Sequence, residues 1–211
     1  MRRYDPSAPS YEEYERPSLI CPFCRTVDES DKQWELEQEI KRANAGQPGA
    51  MRRIAGFHYF GHGKYYPQKD KAEGWKWYMR AVEAGSGEAA MDVGKLYWEG
   101  DFVEKDDAKA LEYSQKAASL GEIHAYKFIG DILMKRGDLE EAMLNYRKAL
   151  ICGLSDASLF KRIRNGFKDG YITRDEYAYT LKEYQATSEE AKSEGREEVK
   201  RLIKDEGSYF I

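Results

Sequence analysis

The chain has 211 residues, with 34 Lys and Arg against 38 Asp and Glu and a formal net charge of −4. That length suffices for one or two domains with a buried core, and the mildly acidic balance does not advertise nucleic acid or an anionic membrane as a partner. Aromatic residues reach 13%, too many for a disordered chain, and no long uninterrupted apolar run offers a membrane span.

Residues 1–30 contain Pro6, Pro9, Pro17 and Pro22 and no hydrophobic period, so an extended or disordered arm is expected. Its first stretch lacks the apolar segment of a secretory leader. The 3 cysteines, an odd number, argue for a reducing compartment, and a cytoplasmic location is expected. Cys21 and Cys24 stand in the run CPFCR, at a spacing that suits a metal. His58 and His62, one helical turn apart, supply two more ligand types. His58, however, falls where the next unit has Tyr97, and a packed histidine is the expected role. Ser30 or Asp31 can cap a helix running to about Ala45, with Leu36, Ile40 and Ala43 on one side.

A repeat then becomes visible. Four segments, KRANAG, RAVEAG, KAASLG and KALICG, close on Gly46, Gly85, Gly121 and Gly153. Between closures runs a second cadence of small-apolar pair, aromatic and glycine: Val93-Gly94, Tyr97 and Gly100 show it most fully. Ile54-Ala55, His58 and Gly61 precede it. Ile129-Gly130 with Leu133, then Ile163-Arg164 with Phe167 and Gly170, follow in weaker form. Residues four apart share a helical face, so Val93 and Tyr97 make a buried stripe, and Gly94 lets a neighbouring helix approach. A second helix follows each time, with Ala110, Tyr113 and Ala117 or Ala142, Tyr146 and Ala149 on its face. Thr173 and Glu176 form a capping box for a last helix bearing Tyr177, Leu181 and Tyr184. Such units cannot bury their apolar faces alone, so neighbours must stack. The expectation is one leading helix and then four helix pairs, the last of them elongated.

The run from Gly87 to Gly121 resembles a Sel1-like repeat nearly from end to end. Ala50 to Gly85 resembles one too, with a longer loop, whereas Glu122 to Gly153 reads more like a tetratricopeptide. The resemblance covers roughly residues 31–186 and implies an all-α, right-handed solenoid. Residues 187–211 would then be a charged capping helix and tail. CPFCR resembles the last ligand pair of a RING finger, and algal proteins that join a RING finger to Sel1-like repeats carry it in this position. No Cys or His precedes Cys21, so a complete RING finger cannot form from this sequence.

In tetratricopeptide-like solenoids the first helix of each unit lines the concave face. The resemblance therefore implies a partner groove of Arg52, Tyr59 and Phe60, then Met91, Lys95, Trp98 and Glu99. It continues with Lys127, Asp131, Met134 and Lys135, and then Lys161, Asn165 and Lys168. Aromatic, Met and basic side chains in such a row suit an extended peptide. Other chemistry is weak. Asn165 to Glu176 lacks carboxylates in the front half of a calcium loop. Cys152 is expected as a buried structural thiol, and His124 has no recognisable catalytic company. The expected function is a non-catalytic adaptor or scaffold for a protein or peptide partner, without a cofactor. The alternatives are a ubiquitin-ligase-type component with a zinc-binding RING remnant, or a structural subunit of a large complex. Oligomeric state is left open.

Overall fold

The computed structural model describes residues 29–61, 69–154 and 156–191, with side chains placed between 33 and 187. Cys21, Cys24 and His62 lie outside the described residues, as does the chain beyond Ala191. Among the described residues there are nine α-helices and no strand. They are α1 (Glu29–Asn44), α2 (Pro48–Phe60), α3 (Lys71–Glu83), α4 (Gly87–Glu99) and α5 (Asp107–Ser119), then α6 (His124–Arg136), α7 (Leu139–Ile151), α8 (Ala157–Lys168) and α9 (Arg174–Ala191). This is the expected leading helix followed by four pairs, the last helix being the longest of the nine.

Local chemistry sets the boundaries. The Ser86 hydroxyl accepts from the Ala89 N–H at 3.1 Å to start α4, and Asp70 accepts from the Glu73 N–H at 2.9 Å to start α3. At the other end the closing glycines turn the chain left-handed: φ is +90° at Gly85 and +89° at Gly121. There the Ser86 N–H donates to the Ala81 carbonyl and the Glu122 N–H to the Ala117 carbonyl, each satisfying an orphaned helix-end acceptor. The Thr173–Glu176 capping box forms in both directions. The Glu176 N–H donates to the Thr173 hydroxyl, and the Glu176 carboxylate accepts from the Thr173 N–H at 3.0 Å.

Helices pair α2/α3, α4/α5 and α6/α7, and each pair stacks on the next. Gly94 performs the close approach expected of it: a Cβ there would stand 2.9 Å from the Ser114 hydroxyl of α5. The core divides in two. One part runs from Ala43 of α1 to Ala125 of α6, and Leu36 and Ile40 pack against it as expected. The other runs from Ile129 to Tyr184 and holds Tyr146, Tyr177, Leu181 and Tyr184. The helix α6 contributes to both.

Three expectations need correction. Cys152 is exposed, not buried. It ends α7 one residue before Gly153, the same position as Leu120 before Gly121, which is 43% exposed. The residue before each closing glycine faces outward because the helix has already turned its apolar face away. Tyr97 is only half-buried, stacking its ring on Tyr113 at 5.6 Å and meeting Trp75 edge-on at 5.6 Å. Tyr59, expected in the partner groove, is fully buried.

Candidate partner groove

A groove of about 630 Å³ separates α2 from α4. Arg52, Arg53 and Phe60 stand on the α2 side, and Asp92, Lys95 and Glu99 on the α4 side. It continues into a shallower concavity of about 360 Å³ shared by Arg52, Met91, Lys95, Glu122 and His124. Helical spacing explains the α4 wall: 92, 95 and 99 lie three and four residues apart and share one stripe.

The groove is charged and largely self-paired. The Arg52 guanidinium bridges α2 to α4, with Nε 2.7 Å from Asp92 and Nη1 2.9 Å from Glu88. Lys95 stands 3.9 Å from Asp92, and Arg53 donates back to Glu39 of α1 at 2.5 Å. Tyr78 lies at the base, where burial and then the Asp92 carboxylate push its hydroxyl up to about 12, so it remains neutral. Phe60 is 60% exposed, the most exposed large apolar side chain on the described surface.

The expected groove residues therefore fall into three groups. Arg52, Phe60, Lys95 and Glu99 line the α2/α4 groove, and Met91, mostly buried, lies in the adjoining concavity. Tyr59 does not. It points into the core, donates its hydroxyl to the Asp101 carbonyl at 3.0 Å, and is held by edge-on contacts with Tyr78 and Phe102. Trp98 turns toward the next unit, meeting Phe128 of α6 edge-on at 6.1 Å, with the Lys135 ammonium 4.1 Å from its ring centre.

Farther along, the expected residues are engaged internally. Lys127 pairs with the Asp156 cap of α8. Burial opposes ionisation of Asp156, but hydrogen bonds from Lys127 and Ser158 outweigh it and hold the carboxyl at about 2. Asp131 accepts from the Tyr146 hydroxyl at 2.8 Å and stands 3.4 Å from Arg162. Met134 packs against the second core. Lys161, Asn165 and Lys168 are exposed on α8, away from the α2/α4 groove. Asn165 and Phe167 are helical, and Glu176 is occupied by its capping box and by Arg147, so this stretch does not have the geometry of a calcium loop. Sequence reasoning missed Arg53, Asp92 and His124. The three-and-four spacing of 92, 95 and 99 was the available signal for Asp92; nothing local marked the other two.

Residues 48–86 and 87–122 each match the model of the Sel1 repeat. Among solved structures, the Sel1 repeat protein from Oxalobacter formigenes is similar over 72% of this chain, at 24% identity and a TM-score of 0.59. The antigen c5321, present in uropathogenic Escherichia coli strains and displaying an SLR fold, is similar over 75%, at 25% identity and a TM-score of 0.59. The chain spans 63% of the first and 33% of the second. No curated protein matches by sequence. Sel1 repeats generally serve as non-enzymatic scaffolds for protein interaction. No helix among the described residues is long and apolar enough to cross a membrane.

Proposed function

We propose that this chain is a non-catalytic adaptor that holds an extended segment of a protein partner in the groove between α2 and α4. The observation that carries this reading is Phe60, a phenylalanine 60% exposed on the rim of a charged groove. Leaving a large aromatic ring in water costs hydrophobic free energy, and an aromatic anchor beside Arg and Lys is the usual composition of an interaction hot spot. The paired charges of Arg52, Asp92 and Lys95 suit a partner that exchanges one ion pair for another, which gives register more than affinity.

The test uses Phe60→Ala/Lys95→Glu, an exposed and a half-buried site that belong to neither core. Proteins cross-linked to the intact chain in lysate of its source cell are identified, and their cross-links are mapped. A partner attached at the α2/α4 groove and lost from the folded variant supports the reading. A partner retained in full by the variant, or attached elsewhere, overturns it.

A further inference from the structure

Where α4 meets α6, two lysines converge on one indole. The Lys135 ammonium lies 4.1 Å from the centre of the Trp98 ring, and the Lys105 ammonium, from the segment that follows α4, lies 5.5 Å from it. Phe128 closes the edge of the same ring. Both lysines are exposed, and neither forms an ion pair among the described residues. Glu104 and Asp106 flank Lys105 along its segment, and the carboxylate that acts on Lys135 is Asp107 at the start of α5. Its Oδ1 is shielded from solvent and accepts no hydrogen bond among the described residues.

Two ammoniums held side by side repel each other, and a cation–π platform repays only part of that cost. The strain shows in the amine itself: Lys105 beside it, together with some burial, pulls Lys135 below the ordinary lysine value. One carboxylate would neutralise only one of the pair. A phosphate monoester brings about two negative charges and three acceptor oxygens, enough for both ammoniums at once.

We infer that Lys105 and Lys135, braced on Trp98, form a binding site for a phosphorylated side chain of the protein partner. Trp98 stands about one helical turn beyond Lys95 on α4, so the site lies along the same helix as one wall of the groove. A nucleic-acid phosphate would satisfy the same two lysines. The formal net charge of −4, and the carboxylates Asp92, Glu99 and Glu88 along the approach, disfavour a polyanion and leave room for a single phosphate.

The inference rests on the groove reading, and the two fail separately. Trp98 gives one indole N–H resonance, assigned by its loss in Trp98→Phe. The intact chain is titrated with a degenerate peptide pool carrying one fixed phosphoserine, with its unphosphorylated twin, and with a single-stranded oligonucleotide. The phosphorylated pool should shift the Trp98 indole saturably and bind about tenfold more tightly than its twin. Lys105→Gln/Lys135→Gln should erase that advantage, and Lys105→Arg/Lys135→Arg should keep it. If the groove amides of Phe60 and Lys95 respond equally to both pools, the lysine site is overturned while the groove stands. An oligonucleotide that binds more tightly than the phosphorylated pool also overturns it. Loss of the groove reading is judged independently, by the Phe60→Ala/Lys95→Glu capture.

Discussion

In α2–α5 glycines let helix backbones touch; in α6–α9 they make room for large side chains. A Cβ on Gly74 would stand 2.8 Å from the Tyr59 backbone nitrogen and 2.9 Å from the Ala55 carbonyl oxygen, and one on Gly94 would meet Ser114 and the Ala110 carbonyl. In the second region a Cβ on Gly130 would run into the Tyr146 ring at 2.5 Å, and one on Gly166 into the Met143 sulfur at 2.5 Å. Polar support differs in the same way. In the first region a network at the groove, around Arg52, joins α2 to α4. In the second, arginines tie helices to one another around its core: Arg162 donates to the Tyr146 hydroxyl at 3.0 Å, and Arg147 reaches both Glu176 and the Thr180 hydroxyl. The matched Sel1 repeats are the first region. A repeat built on backbone contact tolerates variation in its large residues, whereas one built on a particular tyrosine does not.

The sharpest way to break this comparison is Tyr146→Ala. Its side chain is fully buried, so truncation should cost about 3–5 kcal/mol and strand Asp131 and Arg162 without their shared partner. Urea unfolding gives the loss, and hydrogen exchange gives its location. Protection should fall in α6–α9 and persist in α2–α4, as expected for stacked units with nearest-neighbour coupling. Uniform loss along the whole chain would show one cooperative core and dissolve the distinction.

A second test compares glycines. Gly74→Ala should cost about 1–3 kcal/mol, because the new methyl meets backbone, which can yield only by moving α2 from α3. Gly166→Ala should cost less, since a Met143 thioether can change rotamer. The order of the two midpoints in denaturant is the readout, and a reversed order would place the rigid contacts in the second region.

The same contrast explains what the sequence made legible. Helix pairs, closing glycines and the Gly94 approach depend on local spacing, and all are found as expected. The capping box was readable for the same reason. Which side of a helix meets its neighbour within one turn was not. Tyr59 and Phe60 are adjacent, yet one is fully buried and the other 60% exposed. What separates them is Phe102, brought over Tyr59 by the loop that follows α4. Likewise Asp131 and Lys127 carry groove-like spacing, and only the packing of α7 and α8 reveals that Tyr146 and Asp156 already occupy them.

The second region also depends on pH. Hydrogen bonds from the Thr173 backbone and hydroxyl, then from Arg147, hold Glu176 at about 2, against an ordinary 4.5. A carboxyl depressed in the fold adds stability above its unfolded value and loses it as pH falls through 4.5 toward 2. Glu176→Gln should therefore lower stability by about 1 kcal/mol at pH 7, the usual worth of a cap. Thermal melts of the two proteins should converge near pH 2. Asp156 titrates in both and cancels in the difference. A gap that stayed constant with pH would assign the loss to shape and not to charge.

The smallest effect falls where the first region closes on itself. Phe102 has φ of +69°, left-handed backbone that a bulky residue adopts only at a cost of about 1–2 kcal/mol. Its ring, 48% exposed, meets Tyr59 edge-on at 6.4 Å and Trp75 at 6.2 Å, and such pairs contribute about 0.5–1.5 kcal/mol. The two amounts are close, which predicts that Phe102→Gly is nearly neutral: it gives up the rings and relieves the backbone together. Phe102→Ala gives up the rings and keeps the strain, so it should be less stable than Phe102→Gly by about 1 kcal/mol. Denaturant midpoints of the three proteins decide the matter. If the Ala and Gly forms are equally stable, the backbone there carries no strain, and the ring contacts alone set the Phe102 contribution to the Tyr59 cover.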